Sequence, residues 1–236
     1  MKKWIIWMGF ALIPGLYSCN NDDLDATIML DSRFEATLEN WEGGFAEYST
    51  ATDTASLELA YGRARLPAVL DSTKYGFKIQ SHNRSDDMFM YLKRKVSGLT
   101  PNGNYSVVFN IDLGTPYTDK GIGVGGSQGG ATYLKAGASN KEPVRTLSNG
   151  FYTFNLDKGN QSEAGKEMIV LGNISNGMET DGYKLVNRSN GGEPVSVTAN
   201  DKGEIWLCIG TDSGFEGLTV LYYDRIQTTI SERTAN

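Results

Sequence analysis

One histidine and two cysteines are all that this 236-residue chain offers as soft metal ligands or disulfide partners. His82 alone cannot make a zinc site, and Cys19 with Cys208 cannot form a disulfide framework. Triad chemistry would need a nucleophile brought to His82 by the fold, and nothing in the sequence marks one. Long apolar runs are also missing. The longest, residues 4–13, breaks at Pro14 and falls short of the roughly 20 residues that a membrane-spanning helix needs. Bases are outnumbered, 22 Lys and Arg against 28 Asp and Glu, for a net charge of −6, so phosphate backbones are repelled and nucleic acid is excluded as a partner. Glycine is the exception, with 28 residues. Its densest stretch, 121–130, lacks a Gly-Lys-Ser/Thr and is followed by no helical pattern, which excludes a phosphate-binding loop and leaves a connection that folds over the domain.

What is present begins with a basic start at Lys2 and Lys3, the short apolar run, and small residues ahead of Cys19. This is the layout of a signal peptide over 1–18. The tetrad Leu16-Tyr17-Ser18-Cys19 resembles the bacterial lipobox, which implies cleavage before Cys19 and lipidation of its sulfur. Two or more acyl chains anchor a protein stably without spanning the bilayer. Asn20, Asn21, Asp22, Asp23 and Asp25 resemble the acidic signal that follows the cysteine in Bacteroidota lipoproteins, which implies the outer membrane or cell surface. Residues 19–29 are then a lipidated, acidic linker, 30–231 a single domain and 232–236 a tail.

Within the domain apolar residues alternate with period two, the signature of strands. Tyr75, Phe77 and Ile79 alternate with Gly76, Lys78 and Gln80, and Tyr105, Val107, Phe109 and Ile111 mark one face of another strand. Pro101 and Asn102-Gly103 supply turn dihedrals before it. Ile205, Leu207 and Ile209 share a face with Trp206 opposite; Leu218, Val220, Tyr222 and Ile226 share a face that Asp224 interrupts. Further strands are expected at 56–60, 132–135, 151–155, 168–171 and 195–199, and a helical turn or two only at 162–166. About nine to eleven strands in one unit make an all-β chain, a jelly-roll-type antiparallel β-sandwich.

The stretches "RFEATLENW", "KVSGLTPNGNYSVVFNIDL" and "TVLYYDRIQTTI" resemble the first strand, central hairpin and last strand of jelly-roll carbohydrate-binding modules. That resemblance implies polysaccharide as a partner, no catalysis, and a structural calcium held by a glutamate of the first strand and an aspartate of the last, here Glu35 and Asp224. "GIGVGGSQGGATYLKAGAS" and "GTDSGFEG" resemble a family of exported bacterial proteins without an assigned activity.

Asp212, Ser213 and Glu216 in "TDSGFEG" are the candidate ligand-binding groups, since they offer several acceptors and a hydroxyl donor to sugar hydroxyls. The same residues could instead cap a turn, or two of them could serve as the carboxylate pair of a glycoside hydrolase. "SHNRSDD" at 81–87 is a second polar connection that could hold hydroxyls or an ion. The expected function is a lipid-anchored glycan- or ligand-binding protein, with a structural or adhesive role and a glycosidase as the competing classes.

Overall fold

The computed structural model describes residues 27–233, so Cys19 and the whole leader lie outside the described residues. Strands are numbered in chain order. One sheet holds β1 (Thr27–Ser32), β4 (Ala60–Arg65), β5 (Tyr75–His82), β7 (Asn104–Thr115), β12 (Lys184–Ser189), β13 (Val195–Thr198) and β15 (Leu218–Glu232). The second holds β2 (Glu42–Ala46), β6 (Phe89–Ser97), β8 (Thr132–Ser139), β11 (Met168–Asn173) and β14 (Glu204–Ser213), in the order β11-β8-β14-β6-β2. Every pairing is antiparallel, and the chain crosses repeatedly from one sheet to the other, as in a jelly roll. The all-β sandwich that the alternation predicts is what forms.

Period-two burial builds the core between the sheets. Phe77, Ile79, Phe109, Ile111, Leu113 and Leu221 of the first sheet face Met90, Leu92, Leu134, Ile205, Leu207 and Ile209 of the second, all essentially without solvent contact. Complete burial of such a side chain contributes roughly 1.5–3 kcal/mol, which makes this layer the main source of stability.

A smaller sheet of β3 (Tyr48–Ser49), β10 (Phe151–Phe154) and β9 (Arg145–Ser148) lies over the outer face of the five-stranded sheet. It creates a second apolar cluster of Ala46, Phe89, Tyr91, Phe154, Leu156, Met168 and Cys208. Here a side chain at 210 would displace its neighbours: a Cβ on Gly210 would stand 2.6 Å from Phe89 Cε2 and 3.0 Å from the Met90 carbonyl oxygen. The five-stranded sheet is therefore buried on both faces over much of its length, and β14 is continuously buried from Leu207 to Ser213.

Four expectations need correction. The stretch 56–60 holds no strand over most of its length: Thr54–Leu57 is a 3₁₀ turn capped by Asp53 Oδ1, and β4 begins only at Ala60. The helical turn expected at 162–166 is absent, and the short helix is Ala68–Asp71 instead, started by Pro67. Thr27–Met29, assigned to the linker, pairs with β15 as the start of β1. Finally, β15 does not keep one face. Thr219, Leu221 and Tyr223 are buried before Asp224, and Ile226, Thr228 and Ile230 after it, because Asp224 is the extra residue of a β-bulge between Tyr223 and Arg225. A one-residue insertion flips every following side chain to the other side of the sheet.

Candidate functional site

The bulge sits where the neighbours of β15 change. Its Leu218–Tyr223 half pairs with β5 and its Ile226–Ser231 half with β1, and Asp224 falls in the gap between them. Around that gap is a polar pocket of about 150 Å³ lined by Arg33, Glu35, Lys74, Asp112, Asp224 and Arg225. Asp112 alternates with the buried Ile111 and Leu113, which places it on the outer face of the seven-stranded sheet. Glu35 and Asp224, set apart by nearly the whole domain in sequence, thus do line one pocket.

Two of the pocket's cations are already committed. Arg225 grips Asp31 with a fork, Nε to Oδ1 at 2.6 Å and Nη2 to Oδ2 at 3.2 Å, and Arg33 Nε donates to the same carboxylate at 3.2 Å. These bonds hold the Asp31 carboxyl below its ordinary range. Asp112 accepts from Asn187 Nδ2 at 2.8 Å. The side chains of Glu35, Lys74 and Asp224 make no hydrogen bond or ion pair among the described residues. Burial pushes the Asp224 carboxyl up, and Asp112 and Glu35 add to this, while Lys74 and Arg33 oppose it.

The set fits a calcium ion poorly. Calcium takes six to eight oxygen ligands, whereas the pocket offers three carboxylates, one of them bonded to Asn187, beside the Lys74 ammonium and two guanidinium groups. Among the described residues no group of three or more His, Cys, Asp or Glu is arranged to hold a metal ion.

The expected ligand groups at 212–216 separate. Asp212 and Ser213 are not loop residues: β14 runs through both, paired to Phe89 on one side and to Tyr133 and Thr132 on the other. Asp212 is fully buried. Its Oδ2 accepts from Lys135 Nζ at 2.9 Å, Lys158 Nζ at 2.7 Å and the Gln161 amide at 2.9 Å, while Oδ1 has no partner among the described residues. Lys135, also fully buried, donates further to the carbonyls of Lys158 and Glu163 at 2.7 and 3.0 Å. Burial lowers the Lys135 pKa, and Asp212 acts against that shift. Ser213 shares a hydrogen bond with Thr132 and donates to the Phe215 carbonyl. Only Glu216 reaches solvent, so neither a three-residue ligand site nor an accessible Asp212–Glu216 carboxylate pair exists there.

The neighbouring loops serve to hold this end together. Asn83 in "SHNRSDD" is buried, donating to the carbonyls of Ser213 and Phe215 and accepting from the Ser85 and Met88 amides. The glycine-rich 121–130 stretch docks on the same turn through Glu216 N to Val124 O at 3.0 Å. His82 lies beside Glu58 and Arg84, with no nucleophile in its hydrogen bonds. Cys208 is buried, and burial pushes its thiol pKa up, as expected for an inert residue.

One aromatic is differently placed. Trp206 alternates with the core residues Ile205 and Leu207, which places it on the outer face of the five-stranded sheet, and it is partly buried. Lys93 and Lys95, on the neighbouring β6, bring their ammonium groups to 5.4 and 6.0 Å from its ring. Glu42 and Glu142 pair with Lys93, and Glu204 with Lys95. The result is a partly covered aromatic ring with two ammonium groups over it and their carboxylate partners beside them. Alternation along β14 puts Trp206 opposite Ile205 and Leu207, but which side stays open depends on the covering sheet.

No family model matches the chain, and no curated protein matches it. Solved structures that are similar in outline include carbohydrate-binding modules with β-sandwich folds. One is TmCBM61 in complex with β-1,4-galactotriose, at 12% identity over 79% of this chain and 86% of that one, TM-score 0.32. Another is CBM27-1 of Caldicellulosiruptor saccharolyticus in complex with mannohexaose, at 9% identity over 86% and 96%, TM-score 0.37. A third is the enzymatically active domain of bacteriophage CBA120 tailspike protein 4, at 12% identity and TM-score 0.36; the match takes in 83% of this chain but only 20% of that one. At these scores the likeness is loose, and the fold stands on the strand pairings themselves.

Proposed function

We propose that this chain is a non-catalytic saccharide-binding module, tethered to the outer membrane or cell surface through Cys19. The observation that carries the binding half is the partly buried ring of Trp206 on the outer face of the sheet, in company with Lys93, Lys95 and their carboxylate partners. The apolar face of a sugar ring can lie on a flat aromatic while its hydroxyls bond to the charged rim. The glycosidase alternative loses its candidate pair, because Asp212 is locked in a buried ion network.

Affinity electrophoresis against a broad polysaccharide panel tests this. Trp206→Ala is expected to weaken retention on any polysaccharide that slows the wild type by about tenfold or more, equivalent to about 1.4 kcal/mol. Its melting temperature should fall less than that of a core truncation, since the ring is only partly buried and lies outside the core between the sheets. Unchanged retention in the variant would refute the platform, and a panel that retains the wild type nowhere would favour the structural or adhesive role.

The tether is supported by the order of basic start, short apolar run and lipobox-like tetrad. Cys19→Ala is expected to release the protein into the soluble fraction or leave its leader uncut. Membrane-bound, normally processed Cys19→Ala protein would be incompatible with an acyl anchor.

A further inference from the structure

We propose that the pocket at the Asp224 bulge is a second ligand site, which takes one neutral, hydroxyl-rich sugar unit through Glu35, Lys74 and Asp224. It lies on the outer face of the seven-stranded sheet, on the opposite side of the sandwich from Trp206. The choice of a sugar rests on the saccharide reading above, while the existence of the site rests on the pocket itself.

Three observations support it. First, the side chains of Glu35, Lys74 and Asp224 meet around one cavity without bonding to one another or to any other described residue, so their donors and acceptors are free for a guest. Arg33 and Arg225, by contrast, are paired with Asp31 on the same rim. Second, the backbone is built to put Asp224 there. A bulge interrupts β15 at the one point where it has neither β5 nor β1 beside it, and bulges are a common means of re-aiming a side chain. Lys74 is fixed from the other side, its amide bonded to the Asp71 carbonyl and its carbonyl to the Leu66 amide. Third, the charge pattern selects the guest. With Arg33 and Arg225 held by Asp31, the groups left over are two carboxylates, Glu35 and Asp224, and one ammonium, Lys74, and a neutral polyol can use both kinds. Carboxylates accept from neighbouring hydroxyls and the ammonium donates to a hydroxyl or ring oxygen. The cavity, at about 150 Å³, has room for a single small guest or the end of a chain, not for an extended glycan.

Asp224 is also placed at a cost to the fold. A partly buried carboxylate beside two others, without a bonded partner, is less well solvated than on an open surface, and burial pushes its pKa up.

The test is an NMR titration of the wild type with glucose, mannose, galactose and N-acetylglucosamine, each added separately, and with calcium chloride alone. At least one sugar should shift the amides around Lys74, Asp112 and Asp224. Asp224→Asn and Lys74→Met should each weaken that binding by about tenfold or more, because each leaves a ligand group without its partner. Asp224→Asn should melt no lower than the wild type, which separates loss of binding from loss of fold. Trp206→Ala should leave the pocket shifts intact. If no sugar moves these amides, or calcium alone does, the second site is wrong even where Trp206-dependent retention persists. If pocket shifts persist while Trp206→Ala retains polysaccharide normally, the platform fails and the pocket stands.

Discussion

Asp212→Ala is expected to lower the unfolding free energy by about 3–5 kcal/mol, the usual consequence of removing one partner from a buried ion network. The deletion leaves the Lys135 and Lys158 ammonium groups facing each other with their shared anion gone, and the Gln161 amide without its acceptor. Lys135 keeps two carbonyl acceptors, which can hydrogen-bond it but cannot neutralise it. Asp212→Asn should fall between wild type and Asp212→Ala, since it preserves shape and loses charge. Replacing the network by apolar groups, as in Asp212→Leu with Lys135→Met, should recover part of the loss, because isolated buried charges cost more than well-packed hydrocarbon. Urea unfolding midpoints at unchanged slope are the readout. Polysaccharide retention by the folded fraction should stay at the wild-type level, the opposite of what a sugar-contacting Asp212 would show. A loss below about 1 kcal/mol would mean that water reaches the network and solvates it.

The same residue shows why some of this protein could be read from its sequence and some could not. Phe77 and Ile79, or Ile205 and Leu207, announce their strands because one face meets a core and the other does not, which is the condition for period-two alternation. Asp212 and Ser213 look like a loop because polar residues are rare in a strand buried on both sides. Their partners, Lys135 and Lys158, are distant in sequence, and nothing local announces a covering sheet made of β3, β9 and β10. Of those strands β10 is expected, at 151–155; β3 and β9, like β12, have too few alternations to stand out. The bulge at Asp224 was visible only as an interruption. An aspartate on an apolar face could mark a metal, an ion pair or a change of face, and it took the register against β7 to show the last. The resemblance to carbohydrate-binding modules put Glu35 and Asp224 in one place, and it gave no sign of Lys74, Arg33 and Arg225, which decide what that place can hold.

Gly210→Ala is expected to destabilise the protein by about 1–3 kcal/mol, although the same change at an unconstrained site stabilises by about 0.4–1 kcal/mol through the unfolded chain. The reversal comes from what lies over the strand. Phe89 is fully buried, its ring 4.8 Å from Phe154 and 5.8 Å from Tyr91, centroid to centroid, so it has no free direction in which to yield to a new methyl group. The other close neighbour is the Met90 carbonyl, part of the backbone of β6 and pinned by its pairing with β14. Gly210→Val should cost more than Gly210→Ala, because two further methyl groups enter the same layer. Shortening the ring's reach is the internal check. Phe89→Leu alone should destabilise by loss of packing, but Gly210→Ala combined with Phe89→Leu should cost clearly less than the two single losses added together, as expected for residues that share one space. Additive losses would show that the methyl group is accommodated elsewhere and that the close approach of Phe89 is not what requires glycine at 210.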